Sequence, residues 1–515
     1  MKDVIIVGAG IGGISTGIRL LKNGYKVTII EKEDKIGGKL NQLYDQGYKF
    51  DLTASILMTP QIYIELFNYI NKDYTNYIEL IKLDTMYKVF YNDKSTYEFY
   101  SDIGKTIKYL ENMNTDLSRG YLSFISKSYN KYTISNENFL EKPMENFNDM
   151  VNFNSIKKIL KINPVLNSAK YISNYIKDEK LKNYLIFQTM YIGINPYKSS
   201  NLYTLIPTIS QVYGLWYIKG GMYSYIKALE KVFLEMGGNL HNNTNVKEII
   251  INKSFAKGVV TDKGIFRSNM VICNSDFPYT INNLINKKEN KDGYTHEKIK
   301  SLNYSCSTFI IYLVLRRKYK NLKVHNIYIG KNFRENIQAP FIGSISKDPS
   351  LYIYCPSRVD RSICKNNEEV LNIILRVPNL SFKEFIWDDK LVKCTRNKVL
   401  KTLKNIKGME DIEENILYES YLTPKDLKDK FNSFYGTAFG IGHNLNQIGY
   451  FRPHMKSKGV KNLYFIGSST HPGNGVSVII KGSKLLVDEI IKKQLTIWWL
   501  AVFYLIRLVK PSNKI

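Results

Sequence analysis

The sequence predicts an α/β protein in which a Rossmann-like dinucleotide-binding domain is assembled from distant parts of the chain. A discontinuous α+β second domain is threaded between those parts. Three observations predict this. The run VIIVGAGIGG, Val4–Gly13, joins an apolar strand to a helix through spaced glycines. A second apolar strand, Lys26–Ile30, ends in an acid, Glu31. Near the other end, the apolar strand Leu463–Ile466 enters the glycine-broken stretch FIGSSTHPGNGVSVIIKGSK, Phe465–Lys484, which has the form of a second loop closing over the same ligand.

The first 31 residues read as one βαβ unit. Asp3–Val7 is a mostly apolar strand, Gly8, Gly10 and Gly13 make the turn, Ile14–Asn23 has helical periodicity, and Lys26–Ile30 is the second strand. Gly8 allows the tight turn, Gly10 lets backbone amides approach a pyrophosphate, and Gly13 lets helix pack closely on strand. The helix N-terminus adds unpaired N–H groups and a positive dipole end. Glu31 lies 18 residues beyond Gly13, where an acid accepts both ribose hydroxyls and repels a 2′-phosphate. FAD or NAD is therefore expected rather than NADP. The glycine pair Gly37 and Gly38 in KIGGKL, Lys35–Leu40, and then GYKFD, Gly47–Asp51, favour FAD. These are either turns between short strands or a loop crossing near the pyrophosphate, with Lys39 as a charge partner; simple NAD dehydrogenases rarely continue this way.

From Lys72 to about Pro196 the chain is rich in Tyr, Asn and Lys, with mixed helical patterning and no motif chemistry, as in an inserted substrate or lid region. Gly220 and Gly221 in WYIKGGM then precede an amphipathic helix, Met222–Met236, stopped by Gly237 and Gly238. Strand-like segments follow at Val246–Ile251 and Ala256–Thr261, and the apolar strand Met270–Cys273 leads to Asn274, Ser275 and Asp276. The expected FAD-binding domain comprises residues 1–71, 205–287 and 436–492. Residues 72–204 and 288–435 form the substrate or lid domain, and 493–515 a separate tail.

The 515 residues suffice for two or three domains, and 44% hydrophobic with 23% charged residues excludes wholesale disorder. A formal charge of +27 favours an anionic partner. The same excess fits the Lys-, Asn-, Ile- and Tyr-heavy composition of an AT-rich coding bias. No dense basic run is interleaved with aromatics, so nucleic acid is not the expected partner. Five scattered cysteines without a C-x-x-C pair argue against a disulfide framework or a zinc site, and no metal is expected. The first apolar run, from Val4, is consumed by the nucleotide motif and carries no cleavage site, so a cytoplasmic protein is expected.

The sequence as a whole resembles the carotenoid and apocarotenoid desaturases: bacterial phytoene desaturases and dehydrosqualene (4,4′-diapophytoene) desaturases, within the flavin amine oxidase-like superfamily. The resemblance runs nearly end to end. It is carried by VIIVGAGIGG, EKEDKIGGKLNQL, GYKFD, YIGINPY at Tyr191–Tyr197, WYIKGGM, SCSTFIIYL at Ser305–Leu313, DPSLYIYCPSRVD at Asp348–Asp360, FRPHMKS at Phe451–Ser457 and NLYFIGSSTHPGNGV at Asn462–Val476. The chain departs from the family at Leu52-Thr53-Ala54, where a glycine-proline or similar turn is usual. It departs again at Asn474, in place of a glycine, and at Ser477, in place of a proline.

The resemblance implies a GR2-type FAD-binding fold and an FAD-dependent desaturase acting on a C30 or C40 polyene, with flavin contacts from Gly8, Gly10, Gly13, Glu31, Gly37, Gly38, Lys39, Val246, Gly467, Gly475 and Val476. A diapocarotenoid oxygenase, a carotenoid isomerase or a retinoid saturase would share the scaffold; an amine-oxidising or non-catalytic flavoprotein is a more remote alternative. An unactivated hydrocarbon offers no polar handle, so recognition by an apolar tunnel is expected, without a conspicuous acid–base pair. Among six histidines, His471 is the one embedded in the flavin motif, either facing the ring as a catalytic candidate or anchoring its loop; His443, His454, Arg452 and Asp276 are open in the same way. The lipophilic polyene substrate resides in membrane. Leu495–Ile506, LTIWWLAVFYLI, is flanked by Lys492-Lys493 and by Arg507 and Lys510. As a helix it would run roughly 18 Å against about 30 Å of bilayer hydrocarbon, so it suits an interfacial, membrane-facing helix on anionic lipid better than a span. A tail helix packed on its own domain or in a homo-oligomer contact is the alternative. The expected location is the inner face of the cell membrane, as a peripheral protein.

Overall fold

The computed structural model describes residues 2–151, 153–365 and 367–509, with side chains described as far as Lys492 except at 150–156 and 160. The nucleotide layer is a five-stranded, all-parallel sheet in the order Leu463–Phe465, Met270–Cys273, Asp3–Val7, Lys26–Ile30, Asn239–His241. Strands so enclosed are covered on both faces, which is why Asp3–Val7 and Met270–Cys273 read as unbroken apolar runs. The helix Ile11–Lys22 covers one face and stops at Gly24, whose φ of +78° lets its N–H reach back to the Leu21 carbonyl. A three-stranded antiparallel sheet, Val246–Asn252, Phe255–Thr261 and Gly264–Arg267, packs against the other.

The second layer is a seven-stranded sheet in the order Ile416–Leu422, Ser307–Leu315, Glu369–Val377, Leu351–Tyr354, His325–Ile329, Thr85–Tyr91, Thr96–Tyr100. All its pairs are antiparallel except His325–Ile329 with Thr85–Tyr91. Ser307–Leu315 is buried along its whole length because both faces of the sheet carry a core. One core is shared with helices such as Thr115–Ser135 and Glu179–Thr189, the other with Asp389–Leu403. This is an α/β fold in which the parallel sheet draws its strands from the start, middle and end of the chain.

The tail differs from a separate short helix. Val476–Val509 is one continuous helix of 34 residues, roughly 51 Å long, so the apolar run continues the helix that begins at the glycine loop. Among the described residues no helix is long and apolar enough to cross a membrane. Residues 510–515 and the side chains of 493–509 lie outside the description.

Candidate functional site

Three glycine-rich segments meet where the first strand ends. Gly8 donates its N–H to the Ile30 carbonyl, and Gly37 donates to the Ala9 carbonyl at 2.9 Å, which lays the Gly37–Gly38 loop against the first turn. The turn accepts only glycine at Gly13, where a Cβ would fall 2.2 Å from the Gly8 carbonyl oxygen. Beneath it lies Asn274, whose side chain would touch a Cβ at Gly10 or Gly12 and donates to the Ile466 carbonyl at 2.8 Å. Asn274 thus ties the N-terminal loop to the C-terminal one. The sequence showed it only as the end of a strand; its role depends on Met270–Cys273 lying between the first and last strands.

Glu31 stands at the end of the second strand as required for a ribose acceptor. Its two oxygens accept from the Ala9 amide at 2.7 Å and the Glu33 amide at 3.1 Å. Burial raises its pKa, opposed by those two amides. Val246 is buried and begins the strand beside the segment whose Thr244 donates to the Glu31 carbonyl. Lys39 is turned toward the C-terminal half, where its ammonium donates to Ser433 Oγ at 2.9 Å and to the Thr437 and Ala438 carbonyls. Burial lowers its pKa, and the nearby Asp276 partly offsets this.

The second loop is held by buried polar groups. Gly467 and Gly475 both take positive φ, and Val476 opens the long helix. Arg452 is fully buried and donates to five backbone carbonyls, those of Ile441, Gly442, Gln447, Ser468 and Thr470. Burial brings its pKa down to about 10. Asp276 accepts from Ser469 Oγ and the Phe434 amide. His471 donates Nε2–H to the Lys142 carbonyl, and burial holds its pKa at about 4. His443 is buried, pushed well below its usual pKa, and accepts weakly from the Asn474 amide at 3.5 Å. Asn474 donates to the Ile192 and Phe439 carbonyls, and its Oδ1 has no partner among the described residues. His454 packs on Tyr450 and lies near enough to His471 to add to the lowering of its pKa. Arg452, Asp276 and His471 are therefore braces of the loop in this structure.

One face of the seven-stranded sheet carries a buried aromatic wall. His325 stacks between Tyr352 and Tyr354 and approaches Tyr87, while Tyr191 packs on Tyr87 and Tyr352. His325 Nδ1 meets Tyr352 Oη at 2.7 Å and burial lowers its pKa to about 3, so it is a neutral ring. The sequence reading missed His325, because strand alternation alone cannot show which face an aromatic cluster fills.

The family model described as flavin-containing amine oxidoreductase matches residues 11–479. The chain belongs to that family. A 4,4′-diapophytoene desaturase (4,4′-diaponeurosporene-forming) of Staphylococcus haemolyticus is 32% identical over 95% of this chain and 98% of its own length. The protein of the same name from Staphylococcus aureus strain Newman is 33% identical over 95% and 98%. In fold, the chain is similar to an oxidoreductase of Methanosarcina mazei, with a TM-score of 0.63 at 14% identity over 94% of this chain and 100% of that one. It is also similar to putrescine oxidase bound to putrescine, with a TM-score of 0.61 at 12% identity over 95% and 99%. It is an FAD-dependent oxidoreductase of the carotenoid-desaturase kind. The residues present fit FAD: a glycine cradle that any Cβ at Gly13 would fill, an amide-oriented carboxylate at Glu31, and an unpartnered Oδ1 at Asn474 beside the second loop.

Proposed function

We propose that this chain desaturates the C30 precursor 4,4′-diapophytoene, and that Gly8–Gly13, Glu31, Gly37, Gly38, Gly467, Gly475 and Val476 hold its FAD. The observation that carries the reading is the near full-length correspondence with 4,4′-diapophytoene desaturases. Each step removes two hydrogens from an allylic C–C bond, and bound FAD supplies the two-electron acceptor.

The chain's own residues supply binding and shape. Glu31 accepts ribose hydroxyls with oxygens already oriented by Ala9 and Glu33. The helix N-terminus at Ile11 offers amides to phosphate. Tyr191, half-buried in front of the fully buried Tyr87, Tyr352 and Tyr354, is the ring of the aromatic wall that can meet a hydrocarbon by dispersion and burial rather than by hydrogen bonds. Positive charge developing along the allylic system would meet ring faces, which favour cations.

The substrate dissolves in membrane, so the protein is read as a peripheral enzyme at the inner face of the cell membrane. The apolar, basic-flanked end of the last helix is its contact with anionic lipid. Co-expression with a synthase making 4,4′-diapophytoene or 15-cis-phytoene tests the activity by pigment absorption and mass. Successive two-hydrogen losses from the C30 compound are expected. Added oxygen would indicate an oxygenase, and no change with either compound would refute the reading.

A further inference from the structure

A hydrocarbon substrate has no use for hydrogen-bond donors, yet one cleft beside the aromatic wall carries a cationic donor and an amide donor, its two serine hydroxyls, Ser346 and Ser350, being already hydrogen-bonded. It is walled by Phe187, Met190, Ile337 and Leu375, with Asn336 and Arg376 as its principal polar groups. Arg376 projects from the strand Glu369–Val377 and is half-buried. Its guanidinium makes no hydrogen bond or ion pair with any described residue, and lies over the Phe439 ring, 4.8 Å from the centroid. The groups around it are Cys306, Tyr191 and Tyr352, none of them a carboxylate, and burial lowers its pKa. Asn336 is 8% exposed; its Oδ1 accepts from Ser346 Oγ, while its Nδ2 has no partner among the described residues. A cationic fork without an anionic partner among the described residues and an unpartnered buried amide donor thus share a cleft whose remaining walls are mostly apolar.

An uncompensated cation beside apolar walls is costly, and a guanidinium fork is shaped for the paired lone pairs of a carboxylate or carbonyl. The cleft is also close to the flavin loop. Phe439, on which Arg376 lies, receives the Asn474 side-chain N–H on its carbonyl at 3.4 Å. Resting on the desaturase reading, we infer that Arg376 and Asn336 form a subsite for the oxygen-bearing end of a lipophilic chain, a carboxylate or carbonyl on an apolar body. The desaturase would then take polyenes already oxidised at one end, beside the plain hydrocarbon, with Arg376 as the specificity-determining residue.

The test uses the full-length FAD-loaded protein and follows the bound-flavin absorbance on titration with dodecanoate, 2-dodecanone and dodecylammonium. Dodecanoate, dodecanone or both should perturb the spectrum saturably, and dodecylammonium should not. A response to dodecanoate alone assigns the subsite to an acid end, and a response to dodecanone assigns it to a neutral carbonyl. Arg376→Gln should weaken the response roughly tenfold or more, and Arg376→Lys, which keeps the charge but not the fork, should restore part of it. Flavin content and thermal midpoint of each variant separate loss of the subsite from loss of the fold. No response to either oxygen-bearing probe, equal binding by Arg376→Gln, or equal binding of dodecylammonium would overturn the inference. Turnover of 4,4′-diapophytoene is measured separately, so failure of the desaturase reading shows in that assay while these titrations address the subsite alone.

Discussion

His471 donates its Nε2–H to the carbonyl oxygen of Lys142 at 2.7 Å, joining the flavin loop to a segment 329 residues away in sequence. Lys481 reinforces the same junction by bonding Asn136 and Glu141. A ring nitrogen engaged as donor to a backbone carbonyl, in a site that burial keeps neutral, is suited to bracing and poorly suited to proton transfer.

The His471→Leu variant should therefore keep desaturase turnover within about tenfold of the parent, whereas loss of a general acid or base costs roughly a hundredfold or more. Its cost should appear in stability, about 1–3 kcal/mol at neutral pH for the orphaned carbonyl. The sign with pH follows from a folded pKa near 4 below the ordinary 6.5. The His471 contribution is fully present above pH 6.5 and is lost as pH falls toward 4, by at most roughly 3 kcal/mol. Urea unfolding of parent and variant at pH 7.5 and 4.5 checks this; an equal gap at both values would contradict it.

Glu31→Gln should loosen FAD without unfolding the sheet. Both carboxylate oxygens are oriented by backbone amides, each keeping a lone pair for a ribose hydroxyl. An amide side chain offers one acceptor oxygen in place of two, so one of the Ala9 and Glu33 amides loses its partner along with a ribose bond. A loss of about 1.5–3 kcal/mol corresponds to roughly tenfold to a hundredfold weaker FAD binding. Flavin fluorescence on dilution measures it, and far-UV circular dichroism should remain that of the parent.

These two sites differ in how far the sequence revealed them. Gly8, Gly13 and Glu31 were legible because turn, helix start and strand end are local events with strict residue demands. The parallel sheet was legible because its strands read as continuous apolar runs. Asn274 was not, since its place under the glycine turn depends on strand order. His471 could be noticed but not given a role, because Lys142 lies in a segment without motif chemistry. Arg452 was undecided for the same reason: its five acceptors are backbone carbonyls, which no residue pattern marks. The tail was read as a short separate helix because the apolar run has clear basic ends, and nothing in the pattern showed the helix already running from Val476.

Asp51 should make stability fall as pH rises. It is buried where the Gln42–Asp45 and Tyr48–Asp51 hairpin meets the helix starting at Tyr223, accepting from the Met222 amide at 2.8 Å and from Tyr354 Oη at 3.2 Å. Burial raises its pKa to about 7, against the lowering effect of these donors and with Asp360 adding repulsion. A folded pKa above the ordinary 3.8 means that the contribution is complete below pH 3.8 and is lost as pH rises toward 7. Asp51→Asn keeps an acceptor for Met222 and removes the titration. The difference in unfolding free energy between variant and parent should therefore shift in favour of the variant between pH 5 and 8, by an amount on the order of 1–3 kcal/mol. A pH-independent difference would place the Asp51 charge in water rather than in the core.

Deleting residues 495–515 should release the protein from membrane while leaving its flavin site loaded. The helix from Val476 is anchored before that point, with Ile480, Leu486, Val487 and Ile490 in the core of the nucleotide layer and Lys456 bridging to Glu489 at 3.2 Å. The segment removed carries the paired tryptophans and the apolar run, with Arg507 and Lys510 among its basic residues. An interfacial helix of this composition binds through buried apolar area and through attraction of its cations to anionic headgroups. Sedimentation with vesicles containing phosphatidylglycerol should show strong binding of the full chain that weakens in high salt, and little binding of the truncated one. Vesicles of neutral lipid should bind the full chain less well. The truncated protein should keep its flavin and act on detergent-dispersed substrate, with turnover lost mainly when the substrate is supplied in vesicles. Unchanged sedimentation after truncation would remove the tail from the membrane contact and assign it to packing within the protein or between copies.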